Sequence, residues 1–107
     1  MNNSLLTVLA IFIAPTVTSA EDFAPTGLVS RVWVAGGQNK GFRVYLKNKD
    51  TDPLSSCSYS FAYIDASHDN YQAAVSTLLS SYYQSKPVKL HATKEPTGFC
   101  RIDEVEG

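Results

Sequence analysis

The clearest pattern of apolar and polar positions is helical and lies between Ser67 and Tyr83. Apolar residues recur there three or four positions apart, at Tyr71, Ala74, Val75, Leu78, Leu79 and Tyr82. This spacing places them on one stripe of an α-helix. Ser67 or Asp69 suits the first turn as a capping residue, and Pro87 prevents the helix from continuing. The pattern therefore predicts one amphipathic helix whose apolar stripe packs against a sheet.

The segments before and after this helix have the character of β-strands. Runs rich in β-branched and aromatic residues are separated by clusters of Gly, Pro, Asn and Asp. They predict five strands, at residues 28–35, 42–47, 57–64, 88–93 and 99–105. The first two flank the turn cluster Gly36–Gly41 and should form a hairpin.

The predicted order of elements is β-β-β-α-β-β. This is the order of an OB-fold, a Greek-key barrel of five strands with one helix at an end. We therefore predict a mostly β fold with one helix, arranged as an OB-fold-like five-stranded barrel. The alternative is an open antiparallel sheet with the helix on one face. Residues 27–107 are predicted to form a single domain, preceded by a flexible lead-in at residues 21–26.

The amino terminus has the pattern of a secretory signal peptide. Leu5 to Ala14 is an apolar run, too short for the roughly 20 residues that a membrane-spanning helix needs. Thr18 and Ala20 supply small residues at the positions that precede a cleavage site, although residues 1–4 contain no Lys or Arg. The sequence predicts cleavage near Ala20, with residues 1–20 removed, and a secreted or periplasmic protein with no membrane span. An uncleaved anchor is the alternative.

The predicted export bears on the state of the two cysteines. Cys57 and Cys100 are both in the predicted mature chain, and an even number of cysteines in an oxidising compartment favours a disulfide. A metal site and a catalytic thiol are the alternatives. Two cysteines without a nearby histidine are a poor set of zinc ligands.

The second predicted strand alternates strictly and orients the first hairpin. Phe42, Val44 and Leu46 are predicted to face the core, with Leu28, Val32 and Val34 from the first strand. The opposite side, called here the outer hairpin face, consists of Arg31, Trp33, Arg43, Tyr45 and Lys47. Cations among aromatic rings suit a sugar ring that bears an acidic group. These five residues are the ligand-binding candidates; burial of Trp33 under a loop or in a subunit interface is the alternative.

The third predicted strand carries an aromatic row, Tyr59, Phe61 and Tyr63. We predict that these rings fill the barrel core beside the disulfide, with hydroxyls that need partners or a wet rim.

Composition and motifs argue against several functions. With 9 Lys and Arg against 10 Asp and Glu, the chain lacks the basic excess of a nucleic-acid binder. His68 and His91 are too few for a convincing catalytic set, and loop polarity or capping explains His68. No nucleophile elbow, phosphate loop or dinucleotide motif is present. We expect no enzymatic activity, no cofactor and no metal.

Residues 27–105 carry a resemblance to a known family. The segment YQAAVSTLLSSYYQSKPVKLHA and the later GFCRIDEVE are similar to the helix and Cys-bearing last strand of small secreted proteins of Gram-negative bacteria. These are related to the B subunits of bacterial AB5 toxins, in the pertussis-like and subtilase-cytotoxin branch. The resemblance implies an OB-fold, glycan binding and a ring-shaped homo-oligomer. No sugar-binding motif of the family matches this sequence residue by residue, so no family site is carried over.

Two functions follow as hypotheses. The first is a secreted binding module, a glycan-binding subunit similar to a toxin B subunit. The second is an exported subunit or inhibitor that contacts another protein through exposed aromatic residues. A homo-oligomer is expected if the family resemblance holds, because the second face of the helix is uncharged, with Ala73, Ser76, Thr77, Ser80, Ser81 and Gln84.

Overall fold

The computed structural model describes residues 19–37 and 40–107. The predicted signal peptide therefore lies outside the described residues, apart from Ser19 and Ala20. The elements in chain order are β1 (Glu21–Phe23), β2 (Thr26–Val34), β3 (Phe42–Lys47), a 3₁₀ turn (Ser58–Ser60), β4 (Ala62–Ile64), α1 (Tyr71–Gln84), β5 (Pro87–Lys94) and β6 (Cys100–Glu106). The protein is mostly β with one helix, as the sequence predicts.

The six strands form one mixed sheet with the order β1-β5-β2-β3-β4-β6, and β6 also pairs with β5. Strands β2 to β6 are therefore joined in a closed ring of hydrogen bonds. All pairs are antiparallel except β4 with β6, which are parallel. The antiparallel pairing of β2 with β3 confirms the predicted hairpin; Gln38 and Asn39 in its turn lie outside the described residues.

The number of strands differs from the prediction of five. Where the sequence predicts a flexible lead-in, Glu21–Phe23 form β1 and pair with Lys94–Ala92 of β5. The hydroxyl of Thr93 lies 2.9 Å from a carboxylate oxygen of Asp22 and contributes a second tie. A strand of three residues is too short to show a periodic pattern in the sequence. This strand forms because its backbone pairs with β5 in the tertiary structure.

The helix begins later than the pattern predicts, at Tyr71 instead of Ser67. The Ser67 N–H and hydroxyl both donate to Asp65 at 3.0 Å, and these bonds hold the pKa of Asp65 below its usual value. The Asn70 N–H donates to Nδ1 of His68, 3.0 Å away. Such local bonds compete with helical ones, so the predicted caps at Ser67 and Asp69 do not form. The helix N-cap is Asn70, without a side-chain capping bond.

The core lies inside the ring of strands. The predicted inward residues Phe42, Val44 and Leu46 are buried, which confirms the orientation of β3. From the helix, Leu78 is fully buried, and Tyr71, Ala74, Val75 and Leu79 pack against the core, whereas Tyr82 is exposed. The predicted apolar stripe is thus confirmed except at its last position, since Tyr82 lies past the edge of the core.

Cys57 and Cys100 form a disulfide with a sequence separation of 43, as predicted. It ties the chain just before the 3₁₀ turn to the first residue of β6. Within the described ranges, no helix is long and apolar enough to cross a membrane.

Candidate functional site

A β-bulge at Ser30 orients the side chains of β2. Val29 lies opposite Leu46, but the next pair is Arg31 with Tyr45, so Ser30 is an extra residue. Its hydroxyl donates to the Tyr45 carbonyl at 3.2 Å. A bulge reverses the alternation of side chains along the strand. Val29 and Val32 therefore both face inward, and Arg31 and Trp33 both face outward.

The bulge also corrects two predicted core positions. Leu28 and Val34 are exposed, and Val29 is the buried apolar side chain of this strand. Leu28 lies before the bulge and so faces the opposite side of the sheet from Val32. Val34 is on the same side as Val32, as predicted, but it lies at the end of the strand, beyond the core.

Cations and aromatic rings alternate across β2 and β3. Arg31 is opposite Tyr45, and Trp33 is opposite Arg43. The Arg31 guanidinium lies 5.1 Å from the centres of both the Trp33 and Tyr45 rings. The Arg43 guanidinium lies 4.9 Å from Trp33 and 4.7 Å from Phe61. Each guanidinium is thus close enough to two rings for cation–π attraction.

Lys40 adds a third cation from the turn between β2 and β3. Its ammonium lies 4.7 Å from the Phe99 ring and 5.5 Å from the Tyr63 ring. Its backbone has a φ of 59°, and its carbonyl accepts a 2.7 Å hydrogen bond from Nε of Arg43. This bond restrains the guanidinium while leaving the terminal N–H groups of Arg43 free for a ligand.

The aromatic row around β4 lies outside the central core cluster, which corrects the prediction, although Phe61 and Tyr63 are themselves buried. Ala62 and Ile64 pair with Val44 and Phe42, the core-facing residues of β3. Those pairings turn Phe61 and Tyr63 to the outer side of the sheet. Tyr59 precedes the strand, in the 3₁₀ turn, and is 79% exposed.

Phe61 and its neighbours form an aromatic cluster on the outer side. The Phe61 ring lies 6.0 Å from Tyr45 and 5.9 Å from Phe99, centre to centre. The Tyr59 ring stacks on Phe61 at 6.3 Å with an interplanar angle of 12°. Phe61 is only 2% exposed because these rings and Arg43 cover it. It therefore forms the floor of a depression in the surface.

This depression is a cavity of about 460 Å³. We call it the cation–aromatic pocket, and it is lined by Arg31, Trp33, Lys40, Arg43, Tyr45, Tyr59, Phe61 and Phe99. None of these eight described residues is acidic. Across residues 19–37 and 40–107, the ion pairs involve Lys89, His91 and Arg101, and none involves Arg31, Lys40 or Arg43.

Arg101, a cation outside the pocket, differs from the three pocket cations because it has an acidic partner. Nε of Arg101 lies 3.1 Å from Oδ1 of Asp103, and this hydrogen bond raises the pKa of Arg101. The Tyr63 hydroxyl donates to Glu95, and burial followed by this bond raises the pKa of Tyr63 far above its ordinary value. Asp103 and Glu95 therefore have partners of their own. Asp65 is close enough to Lys40 for that charge to help lower its pKa, but the two do not form an ion pair in the described residues.

The two histidines lie outside the pocket. Nε2 of His68 contacts the Asp103 carbonyl at 2.7 Å and ties the start of the helix to β6. Nε2 of His91 contacts a carboxylate oxygen of Glu106 at 2.8 Å. In the part of the chain that the structure describes, no group of three or more His, Cys, Asp or Glu side chains could hold a metal.

Four of the five predicted ligand-binding residues meet in the pocket: Arg31, Trp33, Arg43 and Tyr45. Lys47 is exposed on the same face of β3 but does not line the pocket. The sequence prediction missed Lys40, Tyr59, Phe61 and Phe99. The predicted disulfide could have indicated Tyr59 and Phe99. It joins Cys57, just before the turn that contains Tyr59, to Cys100, which follows Phe99.

The geometry suits the binding of an anion. An arginine stacked on an aromatic ring still presents its N–H groups at the edge of the guanidinium plane. Here two such edges and one ammonium converge on one cavity without a competing carboxylate. Comparison of the chain with family models, with curated proteins and with solved structures gave no match.

Proposed function

We propose that the protein is a non-enzymatic binding module whose cation–aromatic pocket binds an acidic glycan. The observation that carries the proposal is the convergence of Arg31, Lys40 and Arg43, stacked on aromatic rings and without ion-pair partners among the described residues. Arg31 is exposed and Lys40 and Arg43 are partly exposed, so their charged groups are open to an anionic ligand, with which they can form charge-assisted hydrogen bonds.

The charge distribution supports an acidic ligand. The whole chain has a net charge of −1, yet three of its nine Lys and Arg residues line this pocket with no acidic neighbour there. A small positive region on an otherwise acidic protein attracts anions locally. It does not provide the extended basic surface that nucleic acids require.

The position of the pocket in the fold supports a saccharide ligand. We infer that the ring of β2 to β6, with the helix between β4 and β5, is an OB-fold-like barrel. OB-folds bind oligonucleotides and oligosaccharides on their second and third strands and on the loops that follow the first and fourth. Those elements correspond here to β3, β4 and the loops that contain Lys40 and Phe99. This correspondence supports the pocket as the place where a saccharide binds.

We infer export as the setting of this function. The apolar run at Leu5 to Ala14 supports a signal peptide, and the Cys57–Cys100 disulfide suits an oxidising compartment. A binding module outside the cell or in the periplasm would meet acidic glycans at cell surfaces.

Removing a pocket side chain should weaken acidic-glycan binding without unfolding the protein. We expect R43A and W33A each to weaken sialyllactose binding by more than about 1 kcal/mol, roughly fivefold in Kd, in titration calorimetry. Arg43 supplies charge, and Trp33 supports both guanidiniums. Because Trp33 is 41% exposed, its loss should leave the Tm nearly unchanged.

Two controls accompany this experiment. K47A removes a cation from the same face of β3 but outside the pocket and should leave affinity unchanged. Neutral lactose should bind no variant. Unchanged sialyllactose affinity in folded R43A and W33A would show that this pocket is not the site, and unfolding of W33A would make Trp33 a structural residue.

The helix favours a second candidate, self-association or contact with another exported protein. None of the 14 residues of α1 is charged, although Ala73, Ser76, Ser80 and Tyr83 are exposed. A helix that faces only solvent usually carries charged residues on its outer side. We propose that this face lies in a homo-oligomer, as the family resemblance implies.

Light scattering tests this assembly. The mature protein at high micromolar concentration should have a mass several times that of its chain, and S80E should reduce that mass because it places a charge in the interface. T97E, in the exposed turn between β5 and β6, is the matched control and should assemble like the parent. A monomer mass for the parent protein would rule out the homo-oligomer.

A further inference from the structure

The 3₁₀ turn at the rim of the cation–aromatic pocket has an unusual backbone. Tyr59 has a φ of 57° and Ser60 a φ of 58°. The left-handed region disfavours residues with a Cβ, and two consecutive non-glycine residues rarely occupy it. Strain of this kind persists only where the surroundings impose it, and it is concentrated at binding sites.

Three contacts impose this conformation. The disulfide holds Cys57 at the start of the turn, and the Ser60 N–H donates to the Cys57 carbonyl at 2.9 Å. The Ser58 N–H donates to the Gly98 carbonyl at 2.8 Å. Gly98 itself has a φ of 94°, and a Cβ there would lie 2.5 Å from the Ser58 hydroxyl oxygen. The turn is thus fastened to the loop before β6.

The strain does not serve to bury Tyr59. Its ring is 79% exposed and touches the rest of the protein through Phe61 and Phe99. The ring covers part of Phe61 but leaves most of its own surface open to solvent. The turn therefore fixes an exposed aromatic ring at the edge of the pocket.

Tyr59 also differs from the other rings of the pocket. Trp33, Tyr45, Phe61 and Phe99 each have a cation of the protein close to the ring. Among the described residues, no cation lies over Tyr59. The aromatic surface open to a ligand is consequently Tyr59 and not Trp33, the ring that the sequence pattern favours.

We propose that Tyr59 is a specificity-determining residue of the pocket, on which a ring of the ligand stacks while Arg43 binds an attached anionic group. Phe61 connects the two, since Arg43 lies 4.7 Å and Tyr59 6.3 Å from its ring centre. Both residues line the same cavity, so one ligand can meet Arg43 through an anionic group and Tyr59 through a ring. The ligand class is a cyclic sugar acid, in which a carboxylate and a ring occur together. This proposal rests on the proposed function of the pocket.

The experiment uses NMR titration of the mature protein with two carboxylates. One of them contains a sugar ring and the other does not. N-acetylneuraminic acid is the first probe and acetate the second. We expect Y59A to weaken binding of N-acetylneuraminic acid about tenfold and to leave acetate binding unchanged, because only the first probe can stack. Y59F retains the ring and should bind like the parent. V34A removes an apolar side chain that is 73% exposed and does not line the pocket, and it should have no effect.

A glycine variant separates binding from folding. Y59G suits a positive φ and lacks the ring, so it should melt at a higher temperature than Y59A and show the same tenfold loss of affinity. Equal binding of N-acetylneuraminic acid by Y59G, Y59A and the parent would overturn the role of Tyr59 and leave the acidic-ligand function standing. Failure of the parent to bind either probe would overturn both.

Discussion

Replacing Cys57 and Cys100 together with serine should lower the free energy of unfolding by about 3–4 kcal/mol. The disulfide closes a segment of 43 residues, and removing it restores conformational freedom to the unfolded chain. Small domains have a total stability of roughly 5–15 kcal/mol, so this is a large fraction. Urea denaturation, followed by the fluorescence of Trp33, measures the change.

Treatment with a reducing agent is the control for the double variant. Adding it to the parent protein should shift the denaturation midpoint to that of the double variant, and adding it to the double variant should change nothing. A double variant as stable as the oxidised parent would show that the pairing of β4 with β6 holds this region without a covalent bond. Free thiols in native exported material would contradict the disulfide itself.

Replacing Phe61 with alanine should lower the free energy of unfolding by about 3 kcal/mol and also weaken acidic-ligand binding. Phe61 is 2% exposed and is covered by Tyr45, Tyr59, Phe99 and Arg43. Its removal leaves a hole under the pocket that these long side chains can fill only in part. Arg43 and Tyr59 would both lose the ring that positions them.

F61L is the matched variant for this prediction. Leucine keeps most of the apolar volume but lacks the flat ring, so stability should recover by more than half while N-acetylneuraminic acid affinity stays low. Thermal denaturation and NMR titration measure the two effects separately. If F61L bound the acid like the parent, the ring would serve packing alone and would not position the binding residues.

Local periodicity in the sequence was sufficient for the helix, the hairpin and the orientation of β3. Phe42, Val44 and Leu46 alternate with Arg43, Tyr45 and Lys47, and only one register keeps the cations out of the core. The even cysteine count was likewise sufficient for the disulfide. Four pocket residues followed from this reasoning because they lie on two adjacent strands.

The helix start and the Ser30 bulge mark where local patterns stop being sufficient. Asp65 and His68 bind backbone N–H groups before the helix, and sequence alone does not show which side chains will do so. The bulge gave Arg31 and Trp33 their predicted outward direction, but it moved Leu28 outward and Val29 inward. A single extra residue in a strand reverses which side chains face the core, and only the pairing with the neighbouring strand reveals where this happens.

By itself, the sequence determined the helix, the first hairpin, the disulfide and the outward cations of the hairpin, because each depends on spacing within one short segment or on a count of residues. It did not determine β1, or the 3₁₀ turn at Ser58–Ser60 where a strand was predicted. Only the tertiary structure decided that Lys40, Tyr59, Phe61 and Phe99 complete the pocket. These residues come from three separate segments, which meet because β4 pairs with both β3 and β6. Alternation alone left open whether the aromatic row faced the core or the surface, and the pairing of Ala62 and Ile64 with the core side of β3 settled that choice.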